Sequence, residues 1–105
     1  MKIQATIVLV LLPFLTGGAI ADQEQRRLRQ QQLDAACEMA REQKLAPLRQ
    51  QLIEQCVWQR QGDLAWCEWY FRDYGAQAGR RAPLFYDLPE CIEAFEYRRS
   101  YRRAD

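Results

Sequence analysis

LIEQCVWQRQGDLAWCEW, residues 52–69, contains two cysteines on either side of a turn signal. Gly62 is a favourable residue for ending one helix, and Asp63 is a favourable N-cap for the next. Cys56 precedes Gly62 by six residues and Cys67 follows it by five. In an antiparallel helical hairpin such positions lie at the same height on facing helices, where a disulfide needs little backbone distortion. The stretch therefore predicts a hairpin closed by a Cys56–Cys67 bridge.

The remaining two cysteines then pair as Cys37–Cys91, joining the first helix to the last. A second arrangement is also symmetric about its turns: Cys37 with Cys56 across Pro47, and Cys67 with Cys91 across the loop that follows. We favour the first pairing because Gly-Asp is a stronger reversal signal than the residues around Pro47.

Residues 1–21 have the order of a secretory signal peptide: Lys2, an apolar run at 5–15, and a small-residue end at 19–21. The apolar run is shorter than the roughly 20 residues that span a bilayer. We therefore predict a cleaved leader, no transmembrane span in the mature chain, and one domain over 22–105. The protein is then periplasmic or secreted, where an even number of cysteines in a short chain forms disulfides.

The fold class predicted is all-α: a small bundle of three to four helices stapled by two disulfides, with one long irregular loop. The first helix is expected to stop or kink at residues 44–46, and a second to start at Pro47, because proline removes a backbone donor. The ends of the domain, 22–32 and 99–105, have few apolar side chains and are expected to fray.

A further helix is predicted from Asp63 to Gly75, with the aromatic residues Trp66, Trp69 and Tyr70 widening its apolar face. We interpret these aromatics as core residues, the alternative being a ligand-binding patch. Residues 76–88 lack helical periodicity and predict a wrapping loop. The last helix follows, with Asp87 and Glu90 spaced as a capping box and a proline in its first turn.

The composition excludes several kinds of catalytic site. The chain has no His, and its one Ser is Ser100, so a Ser-His-Asp site is excluded. No catalytic residue, cofactor or metal site is predicted. The chain has 15 basic residues, including Lys2 of the leader, and 14 acidic ones, so the mature part has 14 of each. This balance gives no support to a nucleic-acid ligand.

Two segments are candidates for binding a partner. The loop at 80–89 begins with two arginines and places three large apolar residues between two prolines, and irregular loops often carry recognition. The C-terminal tail alternates Arg pairs with Tyr, a pattern that suits anionic groups, although basic residues also complement a helix C-terminus. Leu84, Phe85 and Leu88 have an alternative use as a plug for the end of the bundle. The predicted contact residues are Arg80, Arg81, Phe85, Tyr86, Arg98, Arg99, Arg102 and Arg103.

The blocks AREQKLAPLRQQLIEQC (40–56) and RAPLFYDLPEC (81–91) resemble a family of small exported Gram-negative bacterial proteins with four cysteines. The resemblance covers most of the mature chain, includes no catalytic motif, and implies the periplasm.

The function expected is that of a binding module of the cell envelope, whose partner is a protein or an anionic envelope component. One alternative is a small enzyme, or an enzyme accessory, that uses the carboxylates of the last helix: Glu90, Glu93 and Glu96. Another alternative is a structural or stress-protective envelope protein.

Overall fold

The computed structural model describes residues 18–103, and the fold class predicted from sequence is confirmed. Within those residues the chain forms three α-helices: α1 (Gly18–Gln59), α2 (Leu64–Phe71) and α3 (Pro89–Arg102). The predicted leader lies mostly outside the described residues, and 18–21 form the first turn of α1. Residues 22–32 and 99–102, which were expected to fray, are helical.

The architecture is a helical hairpin in which one arm is a single long helix. The 42 residues of α1 extend for about 63 Å at 1.5 Å per residue. The return arm consists of α2, an irregular loop and α3, one after the other. Both short helices contact α1, and no contacts join the two to each other within the described residues. Cys91 and Tyr101 of α3 contact Cys37 and Gln30 of α1 in that order, so α3 runs antiparallel to α1.

Both predicted disulfides of the favoured pairing are confirmed: Cys37–Cys91 and Cys56–Cys67. The two side chains that are completely buried in the described part of the chain are Cys67 and Cys91. Apolar packing around them is thin, since the cluster at the closed end of the hairpin has three buried members, Ile53, Cys56 and Cys67. The disulfides therefore supply much of what a larger core would otherwise provide.

The turn between α1 and α2 follows the sequence prediction. Gly62 has a φ of +94°, a conformation that glycine adopts without a Cβ penalty. The Asp63 side chain accepts a hydrogen bond from Trp66 N at 3.2 Å, which makes it the N-cap of α2. The predicted end of this helix at Gly75 is wrong, because α2 ends at Phe71.

The prediction of a second helix starting at Pro47 is also wrong, because α1 continues through this residue. The buried side of α1 keeps one register on both sides of the proline, from Cys37 to Cys56. On its surface, Arg49 donates two hydrogen bonds to the Glu42 carboxylate, at 2.8 and 3.0 Å, across the proline. These hydrogen bonds hold the pKa of Glu42 below its ordinary value.

At the start of α3 the predicted capping box is wrong. Leu88 is the N-cap, no side chain caps the helix, and Pro89 occupies the first turn as expected. A proline there leaves no N–H to be satisfied, which reduces the need for a side-chain cap.

Candidate binding surface

The loop between α2 and α3 is closed at its neck and held on α1 by one buried arginine. Leu84 N donates to Gly75 O at 2.9 Å, which joins the two ends of the loop. Arg41 of α1, itself buried, donates to both neighbouring carbonyls: Nε to Leu84 O and Nη2 to Gly75 O, each at 2.9 Å. Its Nη1 pairs with Glu38 at 2.7 Å. A charged group with this many partners fixes the loop in one position.

Tyr86 and Phe85, two of the predicted contact residues, pack partly inside this arrangement. The Tyr86 ring lies 3.9 Å below the Arg41 guanidinium, and its hydroxyl donates to Glu38 at 3.1 Å. Desolvation is the main reason that the pKa of Tyr86 is raised. Phe85 is half-buried and has a φ of 66°. Much of the surface of both side chains is therefore used within the fold.

Arg80 and Arg81 lie at the exposed tip of the loop. The tip is a tight turn in which Ala78 and Arg81 exchange backbone hydrogen bonds at 2.9 and 3.3 Å. Gly79 within the turn has a φ of +56°. In the described part of the chain no ion pair involves either arginine. The turn thus presents two unpaired cations to solvent.

The arginines of the C-terminal tail reach a different part of α1 and are not brought together with the loop tip. Arg98 pairs with Asp34 of α1 at 2.7 Å, while Arg99, Arg102 and Arg103 are exposed. Arg98 therefore has a role in holding α3 on α1.

The largest unexpected feature is the outer face of α2. One side of this helix packs on α1 through Cys67, yet Trp69 and Tyr70 on the other side are 57% and 58% exposed. Our interpretation of these two aromatics as core residues is wrong. The sequence signal was present, because aromatic and apolar residues occur at nearly every position of α2, and a helix with one neighbour cannot bury all of them.

The two exposed aromatics form an ordered stack with the partly buried Trp66, and arginines flank it. Trp66 stacks on Tyr70 with 5.0 Å between centroids, and it lies 6.5 Å from Trp69. Arg60 lies 3.7 Å above the Trp66 ring, and Arg72 lies 5.1 Å above the Trp69 ring. We call Trp66, Trp69, Tyr70 and these two arginines the aromatic face. Cation–π contacts of this kind hold the rings and guanidinium groups in defined positions.

A cleft adjoins the aromatic face at Tyr70. Its volume is about 620 Å³, and it lies between α1, the end of α2 and the loop. The large apolar side chains on its walls are Leu52, Tyr70, Phe71, Tyr74 and Leu84. Asp73 and Arg81 are the charged residues that line it.

The carboxylates of α3 are spread along an exposed surface. Glu90, Glu93 and Glu96 are exposed, and Glu93 pairs with Arg29 of α1 at 3.5 Å. None of these three carboxylates lines any of the four clefts described on the protein surface. The described residues contain no group of acidic or cysteine side chains that is placed to hold a metal ion. Among the three described helices, none has the length and hydropathy to cross a membrane.

No family model matches the chain, and neither a curated protein nor a solved structure matches it.

Proposed function

We propose that the protein is an exported binding module of the cell envelope that recognises a protein partner through the aromatic face of α2. The observation that carries this proposal is that seven of the eight residues of α2 are apolar or aromatic, yet the helix is covered on one side. A helix with apolar residues all round is normally buried on all sides, so the outer side of α2 is suited to a partner.

The composition of the aromatic face supports the same conclusion. Trp, Tyr and Arg are the residues that contribute most often to binding hot spots. Large rings with two side-chain dihedral angles lose little entropy when they bind. Here the loss is reduced further, since the Cys56–Cys67 bridge and the Asp63 cap already hold α2 in place.

The location outside the cytoplasm rests on the leader pattern and on the thiols. All four cysteines are paired in the described structure, and such bonds persist in oxidising compartments. If residues 1–21 are removed on export, α1 begins at Asp22, and an acidic residue there complements the helix dipole. Fractionation of host cells, followed by N-terminal sequencing of the recovered protein, tests this part directly.

The matched pair Trp69→Ala and Trp58→Ala tests the binding role. Both residues are exposed tryptophans, at 57% and 87%, but Trp58 lies on α1, outside the aromatic face. Tagged chains are recovered from their host after chemical crosslinking, and the partner is quantified by mass spectrometry. We expect Trp69→Ala to reduce partner recovery at least tenfold and Trp58→Ala to leave it unchanged, with both unfolding midpoints close to the wild-type value. Equal recovery with both variants would contradict the proposal.

A further inference from the structure

The cleft beside Tyr70 has the size and composition of a site for a small ligand. Its volume, about 620 Å³, lies within the roughly 300 to 1,000 Å³ of ligand pockets. Three aromatic rings and two leucine side chains provide the apolar wall. Ligand sites have this character: mostly apolar, with a few polar groups that fix the orientation.

The cleft is lined by one acidic and one basic residue, and the basic one has no ion-pair partner in the described part of the chain. Asp73 is the acidic residue that lines it, and its carboxylate already accepts a hydrogen bond from Arg72 Nε at 3.3 Å. Between Asp73 and Asp87 the sequence contains Arg80 and Arg81 and no acidic residue. Arg81 lines the cleft, and no carboxylate pairs with it in the described part of the chain. One cation is therefore available to a ligand.

The backbone of Arg81 is held in place before any ligand arrives. Its backbone N–H and C=O both bond to Ala78. The neck of the same loop is fixed by the Leu84–Gly75 hydrogen bond and by Arg41. A wall that is already ordered spares a ligand the cost of ordering it.

From this geometry we propose that the cleft binds an apolar molecule carrying a single carboxylate. The carboxylate pairs with the Arg81 guanidinium, whose planar fork matches its two oxygens. The apolar body lies against Tyr70, Phe71 and Tyr74. Two kinds of molecule have this chemistry: the free C-terminus of a peptide with apolar residues, and a fatty acid.

This inference goes beyond the proposed function, since it needs no protein partner at the aromatic face. Trp69 does not line the cleft, so Trp69→Ala removes binding at the face and leaves the cleft walls intact. Substitution of Arg81 should weaken binding in the cleft and leave the aromatic face intact. The two proposals can therefore fail separately.

The test uses four probes in NMR titrations of the oxidised protein: N-acetyl-phenylalanyl-leucine, its C-terminal amide, decanoate and decanol. Within each pair the members differ in the carboxylate, so their comparison isolates its contribution. We expect an acid to bind at least tenfold more tightly than its neutral partner, with shifts in the ring resonances of Tyr70 and Tyr74. Tight binding of the peptide acid alone identifies a peptide C-terminus, and tight binding of decanoate alone identifies a fatty acid.

The matched variants are Arg81→Gln and Arg80→Gln, both at exposed positions of the same turn. Arg81→Gln should weaken binding of the acid about tenfold and leave binding of its neutral partner unchanged. Arg80 does not line the cleft, so Arg80→Gln should change both by less than twofold. The proposal is overturned if neither acid binds, if acids and neutral partners bind equally, or if Arg81→Gln leaves acid binding unchanged.

Discussion

Substitution of Gly75 by alanine should destabilise the protein through two effects, backbone strain and steric overlap. A comparison with Gly62 separates these two effects. Gly75 has a φ of +89°, and a Cβ added to it would overlap Cδ2 of Leu45, which is 5% exposed. Gly62 has a similar φ of +94°, but nothing lies within 4 Å of its added Cβ. Alanine at Gly62 therefore introduces only backbone strain, and alanine at Gly75 introduces both strain and overlap.

The magnitude follows from these two contributions. Left-handed backbone at a residue with a side chain costs about 1 to 2 kcal/mol. Overpacking of a filled site adds about 1 to 3 kcal/mol. We expect Gly62→Ala to lower the free energy of unfolding by about 1 to 2 kcal/mol and Gly75→Ala by about 2 to 5 kcal/mol. A whole domain is stable by only about 5 to 15 kcal/mol, so the second variant is close to the limit of folding.

Urea unfolding followed by circular dichroism at the helical band, with both disulfides intact, measures these values. The double variant Gly75→Ala/Leu45→Ala provides the decisive comparison. Leu45→Ala alone leaves a cavity and costs about 2 to 5 kcal/mol, but in the double variant the new methyl group of residue 75 occupies part of that cavity. The loss of stability in the double variant should therefore be smaller, by about 1 to 3 kcal/mol, than the sum of the losses in the two single variants. The reasoning would be refuted if Gly75→Ala destabilised the protein no more than Gly62→Ala does. Strict additivity in the double variant would refute it as well.

Three other predictions concern the same framework. Arg41→Met should lower the free energy of unfolding by about 1 to 3 kcal/mol, because it leaves Leu84 O without its donor and Gly75 O with one donor instead of two, and proteolysis within the loop should speed up. Pro47→Ala should raise the midpoint of urea unfolding, since the helix interior gains a backbone donor and loses a residue that costs up to about 3 kcal/mol there; a lower midpoint would mean that the proline stabilises α1. The pKa of Tyr86 is raised in the folded protein. The protonated side chain should therefore contribute fully to stability below about pH 10, and this contribution should be lost as the pH rises through the folded-state pKa. Alkaline unfolding curves of the wild type and Tyr86→Phe should therefore differ in slope above that pH, and parallel curves would contradict this.

The hairpin and its disulfides could be predicted from sequence because their determinants are local. The turn needs a residue that tolerates positive φ and a residue that caps the next helix, and Gly62 and Asp63 supply both. Once this turn is fixed, the heights of Cys56 and Cys67 follow from helix geometry. The pairing of Cys37 with Cys91 then follows by elimination. The positions that the loop residues take on α1 do not follow from the turn.

The loop clamp was not predictable in the same way. Arg41 is one of 13 arginines in the chain and lies four residues from both Cys37 and Leu45, but nothing nearby in the sequence identifies the carbonyls that it binds. Its burial depends on Gly75 and Leu84, which lie 34 and 43 residues away in sequence. Contacts over such separations are decided by packing in three dimensions and leave no pattern in the sequence near Arg41.

The continuity of α1 at Pro47 shows where local rules are overruled. A proline inside a helix costs about 3 kcal/mol, which favours a break when that segment is considered alone. A break would also rotate Cys37 and Cys56 out of a common register, and both form disulfides to the return arm. The sequence shows this register as two apolar stripes, one up to Ala40 and one from Leu45, which a charged segment at 41–44 separates. Tertiary packing on both sides outweighs the local cost.

The exposure of α2 follows from the same architecture and strengthens its functional interpretation. In a hairpin whose return arm is one helix thick, each short helix has a single neighbour, so its outer side meets solvent. In α3 the exposed positions include Glu90, Glu93 and Glu96, together with Ile92 and Phe95, each 44% exposed. In α2 they include Glu68, but also Trp69 and Tyr70, whose rings are 57% and 58% exposed. The fold leaves this side of α2 open without requiring large rings there, and the partner recognition proposed above would account for them.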